Sequence, residues 1–543
     1  MILKFLKFLC LILLLNSNFN NLFSQNLYYQ NNSINIYTFL DDLANKEVIN
    51  FNTSVKPYDN YLIAELLTVA NEKREFLNKV EKRKLDFYLN EFNFYNQKSI
   101  TNKFVIKKFS IESTTEKFKI RLFPIWGTTQ FFKKNDYNWH YFGGAGFDSY
   151  IDGKWRMYAN LVDNTYRYPL SDHKFLTNYS GGNYKDFLDN DHSEMRGGIA
   201  YSWNWGSIQI KKDNVIWGDN YNGSNILSGR SPSFVSIDYK LNLINTIEFN
   251  FMYGWLNSEI IDSNYSYFTT TNIMRHKYKQ KNISANFFTL KLPRANYLSF
   301  GNSIVFSDIP FNPSYIIPFF LFKSIDHSIN HNIDNQNSQI FFNLSSRSFK
   351  NLHLFTSIFI DEFKKDRIFD NKSSNFYSFK IGIKKNDLIF ENLSAIFEYT
   401  QNSPMVYVHY AEAITFESNN YNLGHYLGDN AYEIFSSVKY NINYKTQVSF
   451  DYIKSNIGQK YQYDRNIIDP TSINFLEETI LKNQIFSINF LRELTPNLVF
   501  KLSYSKTQYT SVNSSDFTNL QNYIPSFLHG DNRIVSLSLS LNY

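Results

Sequence analysis

A single cysteine, twelve prolines and twenty glycines in 543 residues exclude a disulfide scaffold, a collagen-like repeat and a glycine-rich low-complexity chain. The one thiol, Cys10, sits inside the apolar run Phe8–Leu15, whereas a lipoprotein cysteine closes such a run behind small residues. Lipidation is therefore excluded, and the mature chain is expected to hold no thiol. Charge of one sign is also missing. Lys and Arg number 55 against 49 Asp and Glu, a formal charge of +6 that falls to +4 if Lys4 and Lys7 leave with a leader. So small an excess over so long a chain points to no particular charged partner and argues against nucleic acid. Beyond the first residues no apolar run is long enough for a spanning helix, so any membrane crossing must be made by strands.

What the chain has in abundance is aromatic side chains, 52 Phe and 40 Tyr, beside an ordinary hydrophobic fraction of 43%. A large membrane barrel has this profile, because it is apolar only at alternate outward positions and carries aromatic girdles at both interfaces. Lys4 and Lys7 precede the short apolar run, and a polar stretch ending Leu22-Phe23-Ser24-Gln25 follows it, so residues 1–24 read as a secretory signal peptide. Residues 25–100 follow the helical period. Ile36, Phe39, Leu40 and Leu43 form one stripe; Leu62, Ile63, Leu66, Leu67 and Ala70 form a second after Pro57, with Asp59 or Asn60 as its cap. Asn78 and Glu81 have capping-box spacing ahead of a third stripe, Leu85, Tyr88, Leu89 and Phe92. Three short helices bury little area alone, so they are expected to pack as a bundle against something larger.

From about Lys117 the period becomes two, and residues 101–543 read as one barrel. The end of the chain shows the pattern most plainly: Val535, Leu537, Leu539, Leu541 and Tyr543 alternate with Ser536, Ser538, Ser540 and Asn542. A closed barrel needs such a terminal strand, since its last strand pairs with its first. Short connections such as Asp152-Gly153, Lys385-Asn386-Asp387 and Asn443–Lys445 alternate with long polar ones. The long ones run Thr165–Glu194, Ser258–Asn282, Asp308–Asn337, Gln401–Glu433, Ser455–Asn483 and Thr507–Asp531. Their alternation predicts a mostly β fold, an antiparallel transmembrane barrel of about 18 strands with a small N-terminal periplasmic helical bundle. It places the chain in the cell outer membrane, long loops extracellular, helices and C-terminus periplasmic.

The stretch Met195–Ser258 then becomes recognisable. Arg196-Gly197-Gly198, Trp205-Gly206, Trp217-Gly218, Gly223-Ser224-Asn225, Ser228-Gly229-Arg230-Ser231-Pro232-Ser233 and Tyr253-Gly254-Trp255-Leu256 resemble the Wzi family of capsule-assembly outer-membrane proteins. The upstream helical sequence is similar too, so the resemblance covers roughly residues 36–258. It implies an eighteen-stranded barrel with a periplasmic bundle. It also implies a surface lectin that holds capsular polysaccharide at the outer membrane, with no catalytic residues; polysaccharide-export machinery is a further candidate partner that the sequence does not decide.

Chemically the segment Trp217–Arg230 is unusual for a loop. Aromatic faces at Trp217 and Tyr221 stack on sugar rings, while Asp219, Asn220, Asn225 and Arg230 make directional bonds to hydroxyls or acidic sugars. The competing reading is that the segment folds into the barrel mouth and plugs it, its glycines permitting tight turns. A second candidate surface is the loop Thr165–Glu194 with Tyr166, Tyr168, Tyr179, Tyr184, Asp186, Asp189 and Asp191. His327 and His331 stand four apart beside Asp326 and Asp334, but the Asn-rich surroundings favour a solvated loop over a metal-binding helix. No GxSxG, HExxH, P-loop or dinucleotide fingerprint occurs in a credible context, so neither an enzyme nor a cofactor nor a metal is expected. A lectin for capsular polysaccharide leads, a porin or saccharide channel is the alternative, and an outer-membrane hydrolase comes third. Outer-membrane lipid is the partner common to all three.

Overall fold

The computed structural model describes residues 34–96, 102–170, 172–183, 190–309, 312–329, 335–368, 375–461, 474–511, 523–524 and 526–542. The expected leader and Tyr543 lie outside them. Three helices come first, α1 Ile34–Asn45, α2 Asn60–Glu72 and α3 Lys79–Phe92. Asp59 caps α2 by accepting from the Tyr61 amide at 2.8 Å. Asn78 caps α3 and accepts from Val80 and Glu81 while the Glu81 carboxylate accepts from the Asn78 amide, a complete capping box. The predicted stripes meet: Phe39, Leu40 and Leu43 bury against Leu67, Leu85 and Tyr88.

Eighteen antiparallel strands then close a barrel. The first nine are β1 Phe118–Lys133, β2 Asp136–Ile151, β3 Trp155–Tyr166, β4 Asp191–Trp203, β5 Gly206–Asp213, β6 Phe234–Ile244, β7 Ile247–Ile261, β8 Tyr278–Leu292 and β9 Asn296–Ser307. The second nine are β10 Gln336–Phe349, β11 Leu352–Glu362, β12 Phe376–Lys385, β13 Leu393–Asn402, β14 Ala431–Asn443, β15 Thr446–Gly458, β16 Thr479–Thr495, β17 Leu498–Ser511 and β18 Gly530–Leu541. Closure is made by β18, whose Val535–Leu541 pair with Phe132–Trp126 of β1. Below that point β1 runs on beside β2 without β18, and a hairpin of Lys103–Lys107 and Ser110–Thr114, not foreseen from the sequence, pairs its Ile111–Thr114 with Leu122–Lys119.

The period-two pattern sorts the wall into two faces. Val535 and Leu537 are exposed on the outside with Leu502 and Tyr504 beside them, while Ser536 and Ser538 face inward, half-buried. Tight turns join strands at one end; Asp152 and Gly153 both take positive φ, 55° and 64°, as a two-residue hairpin turn requires. The helices dock at this same short-turn end. Asn45 donates to Asn386, Lys46 pairs with Glu81 and Asp387, and the Tyr88 hydroxyl donates to Glu493 at 2.7 Å. The turn predicted at Lys385–Asp387 is longer than expected: it runs to Asn392, and Ile389 is exposed within it. His327, expected in a loop, falls within a helix, α4 Phe322–Ile329, and His331 lies outside the described residues.

Lipid should therefore tell neighbouring residues apart. Leu537→Arg places a charge on the outer face and is expected to cost about 2–4 kcal/mol, whereas Ser538→Arg, one residue on and facing the bore, costs much less. Unfolding of the two variants from liposomes checks the difference, and equal losses would contradict the assignment of faces.

Candidate functional site

Between β5 and β6 the chain does not stay at the rim: residues 214–233 enter the bore. Ile216–Trp217 there pairs antiparallel with Leu227–Ser228 and, on its other edge, with Val55–Lys56 from the α1–α2 connection. A three-stranded sheet thus stands inside the barrel. The Gly218 amide donates to the Ser54 carbonyl at 2.7 Å, and Gly218 takes φ +96°, a left-handed conformation that glycine adopts freely.

Above this sheet the bore is filled by apolar packing. The Trp217 ring stacks on Phe287 at 5.4 Å and meets Phe341 edge-on at 6.2 Å. Ile226 and Leu227 join them, with Met405, Tyr407 and Phe416 from the β13–β14 loop. Below it lies a buried charge network. The Asp41 carboxylate of α1 accepts from Arg347 of β10, Lys384 of β12 and the Tyr221 hydroxyl, each at 2.7 Å. Tyr221 also meets the His353 Nδ1 at 2.8 Å. Burial alone would raise the Asp41 pKa, but Lys384 and Arg347 outweigh it and hold the carboxyl well below the usual range.

Asp219, Asn220, Tyr221, Asn225 and Arg230 bond to the protein itself. Asp219, 2% exposed, binds Thr53 through one carboxylate oxygen and the Asn343 amide through the other, the latter at 2.8 Å. Asn220 donates to the Gly218 carbonyl, and the amides of Tyr221 and Asn222 both donate to the Glu398 carboxylate of β13. Asn225, fully buried, is held by Ser357 at 2.6 Å and donates to Ser378 at 3.2 Å. Arg230 gathers main-chain oxygens of Asp172, Phe175 and Tyr179 and lies over the Tyr421 ring at 5.2 Å. Burial pushes its guanidinium down to about 10. The six residues are thus brought together along one plug.

The second candidate loop divides. Tyr166 is buried, its ring stacked on His140 at 4.0 Å, while Tyr179 is exposed; Tyr184, Asp186 and Asp189 lie outside the described residues. A surface that the sequence marks only as a long polar loop stands out instead. Between β7 and β8, Tyr267–Phe268 pairs with Met274–Arg275 in a small hairpin at the long-loop end. Tyr265, Tyr267 and Phe268 are 72%, 63% and 64% exposed, and Arg275, His276 and Lys277 are exposed beside them. Tyr267 and Arg275 are directly paired, so a flat ring and a guanidinium share one face. The signal available in the sequence was this interleaving of aromatic and basic residues within a single loop.

The bore is not uniform. On the β14–β17 arc small polar side chains bind one another: Asn489 donates to Asp451 at 2.7 Å and Ser503 donates to Asn489 at 2.6 Å. Among the described residues no group of three His, Cys, Asp or Glu side chains is placed to hold a metal ion.

The charge network predicts how the bundle comes loose. Arg347→Ala leaves the Asp41 carboxylate buried with one cation fewer and is expected to cost about 3–5 kcal/mol. Because the folded pKa of Asp41 is depressed, its contribution is complete above the unfolded value of 3.8 and is lost as pH falls through the lower folded value. Proteolytic release of the helices is therefore expected in Arg347→Ala at neutral pH, and in the parent only at pH well below 3.8. Equal protease resistance of the two would contradict it.

No family model and no curated protein matches the chain. Among solved structures it is similar to Wzi of Escherichia coli, an outer-membrane protein involved in group 1 capsule assembly and described as a carbohydrate-binding β-barrel. The TM-score is 0.57 at 11% identity, over 96% of this chain and 100% of that one. Pseudomonas aeruginosa OccD3 (OpdP) follows with TM-score 0.41 and 10% identity, over 77% and 90% of the two chains. OpdK of the same organism gives TM-score 0.42 and 8% identity, over 78% and 98%. At these identities the likeness is one of architecture, and the chain has the fold of an eighteen-stranded outer-membrane β-barrel with N-terminal helices.

Proposed function

We propose that the protein is a non-catalytic surface lectin that binds capsular polysaccharide or a related exopolysaccharide and attaches or organises it at the outer membrane. The observation that carries this reading is the plug inside the bore. A diffusion pore needs a continuous wet lumen. Here Trp217, Phe287, Phe341 and Phe359 pack plug against wall in one apolar cluster inside the barrel, and Asp41 of α1 is bonded to the wall beneath it. Sugar is then met at the long-loop end. The Tyr267 and Arg275 face offers a ring to stack on a pyranose and a guanidinium for its hydroxyls or carboxylate. On this reading Trp217, Asp219, Asn220, Tyr221, Asn225 and Arg230 serve sugar binding by holding the mouth in shape. The carbohydrate binding named for Wzi lends the reading support by likeness of fold.

The porin alternative has its own observation, the arc of small polar residues Ser449, Asp451, Asn489 and Ser503, where the wall is half-buried and bonded to itself. Planar bilayers separate the two classes. The lectin reading expects no steady conductance, and a stable open channel would sink it.

Retention of polysaccharide on cells tests the surface directly. Tyr267→Ala and Arg275→Ala are expected to shed polysaccharide into the medium while the barrel still folds, a loss of about 1–3 kcal/mol of binding per ring–sugar contact by analogy with ring stacking on bases. Trp217→Ala is expected to reduce retention together with the protease resistance of the plug. Normal retention in all three would reject the reading.

A further inference from the structure

One stretch of wall is built the wrong way round. On β8 and β9 the outward residues near the short-turn end are apolar and exposed, as Leu290 and Leu298 show by pairing with one another. The same face higher up carries Asn282, Ser284 and Asn286 on β8 and Asn302 on β9. The opposite face holds Ile283, Ala285 and Phe287, which bury in the bore cluster with Trp217. Four polar side chains therefore point to where acyl chains would stand.

They are covered by the β9–β10 connection. Asn282 donates to the Ile309 carbonyl at 3.1 Å, and Ser284 to that of Tyr315 at 2.6 Å. Asn286 donates to those of Pro318 and Phe320 at 3.0 and 2.9 Å. The Asn302 side-chain Oδ1 accepts from the Phe322 amide at 3.0 Å. Tyr315 and Phe322 pack on outward Phe249, Phe251 and Phe306. The Phe319 ring lies 4.9 Å from that of Phe249, which stands two residues from the start of β7, so the segment reaches down almost the whole wall. Read from the sequence as the start of a polar loop, residues 312–322 in fact carry no charge and leave Ile317, Phe319, Phe320 and Leu321 exposed.

We propose that residues 312–322 form a strap embedded in the bilayer against the outside of the barrel, with the acyl chains of outer-membrane lipid as the partner of its outer face. Irregular backbone is excluded from hydrocarbon because its polar groups go unpaired. Three features of this segment reduce that cost. Pro313 and Pro318 bring no amide hydrogen. The Tyr315 and Ile316 amides bond to Asn312 and Pro313 within a tight turn. The wall's Asn and Ser side chains take carbonyls of the strap. Polar wall and apolar strap thus exchange places, and the exposed Ile317, Phe319, Phe320 and Leu321 continue the lipid-facing band of Leu290, Leu298 and Phe342. This inference rests on the barrel fold and not on the sugar reading.

Site-directed spin labelling of the full chain in proteoliposomes tests it. Phe319→Cys, made with Cys10→Ser, carries one nitroxide; Tyr265→Cys at the hairpin is the aqueous reference. Heat-modifiable migration on gels selects folded protein. The nitroxide at 319 is expected to be relaxed by molecular oxygen and shielded from a water-soluble nickel complex, with the order reversed at 265. Nickel relaxation at 319 equal to that at 265 would overturn the proposal. So would protection from both reagents with dipolar broadening between labels, which would mean that a second copy covers the strap. Asn286→Ala is expected to increase nitroxide mobility at 319, and unchanged mobility would remove the role given to the wall's donors.

Discussion

Everything inside the barrel depends on a buried carboxylate. Asp41 is carried by a helix, yet its ligands Arg347 and Lys384 come from two separate wall strands and Tyr221 from the plug. Buried ion pairs contribute little net stability when compared with well-packed apolar residues, but losing one member is costly because it leaves an unpaired charge. Such a network is therefore better suited to fixing an arrangement than to strengthening it. The wrong register of helix, plug or wall leaves at least one charge uncompensated in the bore. The second layer, Trp217 against Phe287 and Phe341, adds apolar area but has no comparable directionality.

The architecture was legible because it is written in periods. The helical stripes of Leu40, Leu67 and Leu85, the capping box at Asn78 and Glu81, and the switch to alternation near Lys117 each depend on neighbours along the chain. Strand number followed from the alternation of short and long connections. The site was less legible. Trp217, Asp219 and Arg230 have the composition of a sugar site, and the same composition satisfies wall groups inside a bore. Whether an Asn donates to a ligand or to Ser378 depends on residues more than a hundred positions away. The partners Asp41, Arg347, Lys384 and Glu398 carry no local mark beyond a charge at an inward position.

The strap shows the opposite failure. Averaged over Asp308–Asn337, the connection reads as polar because its second half is rich in Asn and Asp, which masks the uncharged stretch through Phe322. Nor does period-two reading flag Asn286 and Asn302, since an outward Asn looks like a slipped register. Only the pairing Asn286↔Asn302, with lumenal Phe287 between its neighbours, shows that the register is intact and the wall itself is polar there.

The small sheet in the bore has a mechanical consequence. Val55 hangs from the helices, Trp217 and Leu227 belong to the plug, and the plug's Ser228 and Arg230 bond by main chain to Leu423 and Gly181 of two long-end loops. A displacement of the bundle at one face of the membrane is thus transmitted to the opposite rim along hydrogen-bonded backbone, by a path that bypasses the cylinder. Strands loaded along their length share force over several bonds at once, so this line is stiff, and the two sides of the bilayer are joined by a rod through the axle as well as by the wheel.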